Sequence, residues 1–292
     1  MMNEFAKSPL LLVSWFPGCA DGRVLRLLKS EGGIDGVEVR YLDEEAAFIR
    51  DAGCLVSFHL PTLPGEELRG NLCDKNLLVP FQTGRMGKLA LSDIGFLGFH
   101  LGYSCMKAEK VAGGPDRPLS ATLSRGETFT RIAKTLIELR ELTQREILVE
   151  NMDYGPAGAL EYVCDVGFMR ELCEATGCGV IWDIAHAMVS AEPLGLCVEA
   201  YMDSFIQELA PFIKEVHVNS AHEGKDAHFP AGEAELGWLR KLLGAGANPT
   251  AVSLERHWGD QSGYDFAAVL VPELRMLRQI IAAFVGRRPQ KQ

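Results

Sequence analysis

Imidazole and carboxylate groups recur where the apolar runs of this sequence end. His59 lies at the end of VSFHLP, His100 in GFHLG and Glu150 in LVEN. The series continues through WDIAH, EVHVN, KDAH and SLERH with Asp183, His186, His217, Asp226, His228 and Glu255. Five of the seven histidines of the chain belong to it. Since imidazole and carboxylate together suit zinc, manganese or iron, the pattern predicts a metal site.

The number of these groups predicts more than one ion. Nine ligands exceed the roughly four to six that a single ion takes. We therefore expect two or three divalent ions bridged by carboxylates, zinc first and iron or manganese as alternatives. Asn151 and Asn219 are expected to hydrogen-bond to the ligands. His222 and His257 lie close to the series and are candidates for either role.

Each group alone has a more ordinary interpretation. His59 or His100 alone would be a hydrogen-bonded histidine at the rim of a sheet, and Glu150 alone would be a buried ion-pair partner. Asp183 alone would be a helix N-cap, because aspartate is a common cap. The repetition of such groups after one apolar strand after another favours the metal site.

The elements that must position these groups alternate between strands and helices. Strands are predicted over 10–14, 36–39, 54–58, 96–99, 147–150, 179–182, 215–218 and 251–254. Helical spacing covers stretches such as 126–142 and 166–176, and a last helix is predicted over 271–285 with Pro272 in its first turn. Apolar strands that alternate with helices predict a parallel sheet covered by helices. Eight of them without a linker predict one α/β domain over residues 1–292, a single (β/α)₈ TIM barrel.

In such a barrel the C-terminal strand ends share one mouth, where active sites are built. The polar segments 65–88 and 103–124, which follow His59 and His100, are expected to form a lid or a substrate surface there.

The composition narrows the class of protein. A net charge of −10 argues against the broad basic surface of a general nucleic-acid binder, although it leaves a local basic rim open. No apolar run reaches the roughly 18 residues of a membrane span, and the first apolar run is expected to be a strand. The eight cysteines form no CxxC pair, which favours reduced, mostly buried thiols and a cytoplasmic location.

The motifs resemble those of the xylose-isomerase-like barrel superfamily, which includes endonuclease IV, sugar isomerases and epimerases. SFHLP, LVEN, WDIAHA, HVN and DAHFPAGEAEL are similar to its metal-bearing segments, and the nine groups follow the zinc ligand order of endonuclease IV. The resemblance implies a zinc phosphoesterase whose substrate could be a nucleic acid. Its reaction would occur beside Glu150, Asp183, His217 and Glu255. The first two strands carry no word of that family.

A second resemblance is to multinuclear non-haem iron oxidases that modify ribosomally made peptides on the same barrel. LVENMDY and HVNSAH are similar to segments of that family, whereas His186 stands where many members carry Asn, and the gap from His217 to Asp226 is short for them. We rank this alternative second. A sugar isomerase or epimerase with one ion is the third, and it leaves His59 and His100 unexplained. A non-catalytic binding module would give so dense a polar cluster no role.

Overall fold

Eight parallel strands close into a barrel in the computed structural model, which describes residues 8–40, 44–60, 70–83, 94–109, 111 and 115–284. In chain order the barrel strands are β1 (Leu10–Ser14), β2 (Gly36–Val39), β3 (Leu55–Leu60), β4 (Phe96–His100), β7 (Glu146–Glu150), β8 (Gly179–Asp183), β9 (Ile213–Val218) and β12 (Ala251–Leu254). Neighbours around the barrel follow the order β1-β12-β9-β8-β7-β4-β3-β2. The predicted (β/α)₈ fold is therefore confirmed.

The strand ranges agree with the prediction to within one or two residues. The ranges 10–14, 36–39 and 251–254 match, and the other strands differ at one or both ends. Inside the barrel, a small apolar cluster lies on the N-terminal side of the candidate ligands: Leu12, Phe96, Leu148, Ile181 and Ala251. This apolar layer fills the barrel interior beneath its C-terminal mouth, and the polar strand-end residues pack on it.

Helices cover the outside of the barrel. They are α1 (Gly22–Leu27), α2 (Glu44–Asp51), α3 (Val79–Gln82), α4 (Arg125–Thr143), α5 (Val166–Thr176), α6 (Ile184–Ala191), α7 (Val198–Ser204), α8 (Glu233–Gly244) and α9 (Gly263–Phe284). Side chains fix several starts: Ser124 and Glu127 form a capping box at α4, and Asp165 caps α5 by accepting the Phe168 N–H.

The predicted position of Pro272 in a first helical turn is wrong. Helix α9 begins at Gly263, so Pro272 lies inside it. The turns before the proline bury Phe266 and Leu270 against the core. Proline has no N–H and therefore removes one intrahelical hydrogen bond. The packing of these turns keeps the helix continuous despite that loss.

Two short antiparallel ribbons lie outside the barrel. One pairs β5 (Ala108–Glu109) with β6 (Arg117–Pro118), so part of the polar segment 103–124 has regular structure. The other pairs β10 (Ala221–His222) with β11 (Lys225–Asp226). Within segment 65–88, a short 3-10 turn (Lys75–Leu78) leads into α3, while residues 65–69 and 84–88 lie outside the described residues.

Two further sequence expectations concern membranes and thiols. Within the described part of the chain, no helix combines the length and the apolar character that crossing a membrane requires. None of the eight cysteines, all of which are described, forms a disulfide, and all of them are buried except Cys197.

Candidate metal centre

The candidate ligands lie at the C-terminal ends of six barrel strands because the strand register brings them to one level. His100 pairs with Glu150, and Asp183 pairs with His217, in adjacent parallel strands. Gly98 makes room for them, since a Cβ there would lie 2.5 Å from Ile181 Cδ1 and 3.2 Å from His59 Cδ2. The six strand-end groups are all buried: His59, His100, Glu150, Asp183, His217 and Glu255.

Glu150 lies at the centre of this group. Its Oε2 is 2.9 Å from Nε2 of His59 and 2.9 Å from Nε2 of His100. Its Oε1 is 3.3 Å from Nδ1 of His217 and 3.5 Å from Nδ1 of His186. The two carboxylate oxygens therefore face two different sets of imidazoles.

The ligand atoms divide into overlapping groups that share Glu150. One atom from each of His59, His100 and Glu150 lies within 4.8 Å of the others. The same holds for Glu150, Asp183, His217 and Glu255. A carboxylate shared in this way is the usual bridge of a dinuclear site.

Three further candidates extend the cluster through Asp226. Its Oδ2 is 2.7 Å from Nε2 of His228 and 3.2 Å from Nε2 of His186. His228 has a φ of 49°, a left-handed conformation that costs a non-glycine residue free energy and occurs often at functional sites. Among the described residues, however, none of these three belongs to a group of three or more ligand atoms that all lie within 4.8 Å of one another.

Asp183 has two roles, one on each oxygen. Its Oδ1 accepts the N–H of His186 at 2.7 Å and caps α6. Its Oδ2 lies 4.0 Å from Nδ1 of His217. The N-cap interpretation and the ligand interpretation therefore apply to the same side chain.

The two asparagines hydrogen-bond to the candidate ligands. Asn151 Nδ2 donates to the Asp183 carbonyl at 2.9 Å, and its Oδ1 accepts the Asp183 N–H at 2.8 Å. Asn219 Nδ2 donates to Asp183 Oδ2 at 3.1 Å and to Asp226 Oδ1 at 3.0 Å. Asn151 therefore holds the backbone of Asp183, and Asn219 holds the carboxylates of Asp183 and Asp226.

The structure does not bring His222 or His257 into the cluster. The side chain of His222 is 61% exposed, and its Nε2 lies 3.7 Å from Oε1 of Glu223. His257 is exposed and stacks on Trp258.

The sequence patterns did not point to three buried or half-buried ionisable side chains in this region. Glu38 is fully buried in β2, with Oε2 3.2 Å from Nε2 of His217. Arg40, two residues later, contacts Oε1 of Glu255. Glu215 is fully buried in β9, two residues before His217. The available signal was a glutamate within a strand that carries apolar residues on both sides of it, Glu38 in GVEV and, less clearly because Lys214 precedes it, Glu215 in IKEVHV.

The pKa values show how strongly the carboxylates and imidazoles interact. Burial disfavours ionisation of Glu150, but the nearby His100 and His59 outweigh it and hold its pKa well below the ordinary value. Burial likewise opposes protonation of His217, but Glu38, Glu150 and Glu255 raise its pKa well above the ordinary value. Burial together with neighbouring carboxylates raises the pKa of Asp183 to about 7.

The donor set fits metal ions better than it fits hydrogen bonding. Both ring nitrogens of His59, both oxygens of Glu150 and Nδ1 of His217 are inaccessible to solvent, and no described residue gives them a hydrogen bond of acceptable geometry. Buried polar atoms without a partner are costly and rare. The Glu150 oxygens lie 2.9 Å from Nε2 of His59 and 3.3 Å from Nδ1 of His217. A metal ion bound between these atoms would satisfy them without hydrogen bonds.

A family model described as "RiPP precursor modification enzyme MbnB/TglH/ChrH" matches residues 96–279. The chain belongs to this family. The match contains every candidate ligand except His59.

Curated relatives are similar over part of the chain. A UPF0276 protein of Caulobacter vibrioides is 31% identical over 170 residues, which cover 54% of this chain and 57% of the relative. A UPF0276 protein of Caulobacter sp. is 34% identical over 89 residues, 30% of this chain and 31% of the relative. The chain thus matches little more than half of the length of the first relative.

Solved structures show the same barrel at low sequence identity. An L-ribulose 3-epimerase has a TM-score of 0.63 at 14% identity, covering 97% of this chain and 99% of that chain. Endonuclease IV from Thermus thermophilus has a TM-score of 0.54 at 16% identity, covering 94% of this chain and 100% of that chain. These similarities confirm the xylose-isomerase-like TIM barrel, and they concern the fold alone.

Proposed function

We propose that this protein is a multinuclear metalloenzyme that oxidatively modifies a ribosomally made peptide, with two or three divalent ions and iron as the metal. The carboxylate of Glu150, shared between two overlapping ligand groups, is the observation that carries the proposal. The family membership supports a peptide as the substrate. This reverses the ranking drawn from the sequence, in which a zinc phosphoesterase stood first.

Each ligand group would hold one ion. His59 and His100 would bind the first together with Oε2 of Glu150. Asp183, His217 and Glu255 would bind the second together with the other oxygen of Glu150.

A third ion would need the looser set His186, Asp226 and His228. Ferrous ions held by these residues would supply the redox chemistry, passing electrons from the peptide, which is oxidised, to dioxygen, which is reduced. The chain itself would fix the ligands in place and bury them away from bulk water, so that a bound substrate group meets a preorganised site.

The two rival reactions would use the same site in whole or in part. A phosphoesterase would use the same nine ligands, and the order of these ligands resembles that of endonuclease IV. A sugar isomerase would need only Glu150, Asp183, His217 and Glu255, which form one compact group. It leaves His59 and His100, buried at 2.9 Å from Glu150, without a role.

Metal content and reaction type together test the proposal. The protein would be purified without oxygen and its iron, zinc and manganese content measured. It would then be mixed with candidate precursor peptides translated from short reading frames near its gene, exposed to oxygen, and the peptide masses followed. A model phosphodiester would be offered in parallel. Glu150→Gln would serve as the inactive variant and His222→Ala as the control, because the His222 side chain is exposed and outside the cluster.

Iron at two or more equivalents per chain, with an oxygen-dependent change in peptide mass, is the expected result. Zinc at that stoichiometry, with phosphodiester cleavage and no oxygen uptake, would replace the proposal with the hydrolytic alternative. A single bound ion would contradict both and favour the isomerase.

A further inference from the structure

Strand β2 carries none of the nine candidate ligands, yet Glu38 within it and Arg40 just after it contact two of them. Glu38 and Arg40 are two positions apart, so they lie on the same face of the chain. Glu38 contacts His217 of β9, and Arg40 contacts Glu255 at the end of β12.

Both oxygens of Glu38 are engaged by side chains. Oε1 accepts a hydrogen bond from Ser14 Oγ at 2.9 Å, and Ser14 is its partner in the register of β1 and β2. Oε2 lies 3.2 Å from Nε2 of His217. Glu38 is therefore held from one side and presents its second oxygen to the imidazole.

The other nitrogen of the same ring faces the ligand cluster. Nδ1 of His217 is 3.2 Å from Oε2 of Glu255 and 3.3 Å from Oε1 of Glu150. A neutral imidazole carries one proton, so a proton directed at Glu38 leaves the lone pair of Nδ1 for a metal ion. Histidines that bind metals commonly donate their second N–H to a carboxylate in this way.

Arg40 acts on Glu255 in a parallel manner. Its guanidinium contacts Oε1 of Glu255, whereas Oε2 of the same carboxylate faces His217. Burial opposes ionisation of Glu255, but His228 and Arg40 outweigh it and hold the pKa well below its ordinary value. One oxygen is thus committed to the arginine and the other is directed at the cluster.

We propose that β2 and the residue that follows it position ligands that belong to other strands, with Glu38 orienting His217 to bind metal through Nδ1 and Arg40 orienting Glu255 to bind through Oε2. This inference rests on the metal site of the proposed function. The competing interpretation makes Glu38 itself a ligand, because one atom each of Glu38, His59 and His217 also lies within 4.8 Å of the others. If an ion also occupied the group of Glu150, Asp183, His217 and Glu255, that interpretation would require His217 to bind ions through both ring nitrogens.

Zinc binding separates the two interpretations without any activity assay. The number of bound ions and the affinity would be measured by chelator competition for the wild type and for Glu38→Gln, Glu38→Ala, Arg40→Met and Arg40→Lys. Glu215→Gln is the matched control, because the Glu215 carboxyl is equally buried but belongs to none of the groups of atoms among the described residues that could hold an ion.

We expect Glu38→Ala and Arg40→Met to bind the wild-type number of zinc ions with roughly 10–100-fold lower affinity. Glu38→Gln and Arg40→Lys should lose less, because the amide oxygen still accepts the Nε2 proton and the ammonium still pairs with Glu255. Glu215→Gln should bind like the wild type. Long-range nitrogen–proton spectra of histidine-labelled, zinc-loaded protein should place the His217 proton on Nε2, with the signal assigned by its loss in His217→Ala.

Loss of one zinc equivalent in Glu38→Gln would make Glu38 a ligand and overturn the inference. Wild-type affinity in both Glu38→Ala and Arg40→Met would do the same, as would a His217 proton on Nδ1. A wild-type protein that binds no zinc, iron or manganese would instead refute the proposed function, and this inference with it. If Glu38→Ala does not fold, Glu38→Gln and the Arg40 variants still decide the question.

Discussion

Replacing Glu150 with glutamine should remove most of the metal while leaving the barrel folded. The amide keeps the shape of the side chain but offers one weak oxygen ligand in place of two anionic ones. Both ligand groups lose their shared member, so we expect less than one ion per chain. The barrel should persist because its apolar clusters do not include Glu150.

The size of the effect follows from linkage between binding and unfolding. An ion present at 100–1,000 times its dissociation constant stabilises the folded state by about 2.7–4.1 kcal/mol per site. In a chain of this size, each kcal/mol raises the melting temperature by about 2 °C. Metal should therefore raise the melting temperature of the wild type by about 5–8 °C per site and that of Glu150→Gln very little.

The assay combines metal analysis with thermal unfolding, each with and without ferrous iron under anaerobic conditions. His222→Ala is the matched control, and its metal content and melting temperatures should equal those of the wild type. The ligand assignment fails if Glu150→Gln retains two equivalents of metal and the full rise in melting temperature. It also fails if His222→Ala loses as much metal as Glu150→Gln.

Three further predictions concern the surroundings of the ligands. Burial opposes protonation of His228, but Glu255 and Asp226 raise its pKa to about 9. The stability that protonated His228 gives to the metal-free protein is therefore complete below pH ~6.5 and is lost as the pH rises towards 9. The metal-induced rise in melting temperature should instead grow over that range, because a metal ion binds the neutral ring. Thermal unfolding against pH, with and without metal, checks these opposite trends. Asn219→Ala removes the donor shared by two carboxylates and should weaken metal binding roughly 10–100-fold in chelator competition, and an unchanged affinity would count against its role. Glu235→Ala should lower the free energy of unfolding by about 2–4 kcal/mol in a denaturant titration, because the buried carboxylate accepts hydrogen bonds from the N–H groups of Ala221 and Gly232. A change below about 1 kcal/mol would show that these hydrogen bonds contribute little to stability.

The barrel could be predicted from the sequence because its strands are continuous apolar runs of the right length. The helix ends were harder to predict from the sequence. Pro272 suggested a helix start, although the burial of Phe266 and Leu270 extends the helix upstream, and burial is a tertiary fact. Helix α2, which spans Glu44–Asp51, was not predicted at all, and its acidic first turn gives only a weak apolar pattern.

The grouping of the candidate ligands at the strand ends could be predicted because a polar residue after each apolar run is a local signal. Side chains that act across the barrel could not be assigned in this way. Glu38 and His217 are 179 residues apart in the chain, and their contact depends on closure of the barrel. His222 shows the converse, because a histidine that follows His217 closely in the chain points to solvent once the β10–β11 ribbon has formed.

The charge of the buried cluster bears on how many ions it can hold. Besides Arg40, the site contains five carboxylates that are ionised or become so beside a cation, namely Glu38, Glu150, Asp183, Asp226 and Glu255. Two divalent ions and Arg40 would balance these five negative charges if the imidazoles are neutral ligands. A third divalent ion would leave about two positive charges in excess in a buried site, where uncompensated charge is costly. An anionic group on the substrate would remove that excess, so a third ion should bind more tightly when substrate is present than when it is absent. Metal titrations of the protein with and without peptide would measure this difference directly, and equal third-ion affinities would refute the charge argument.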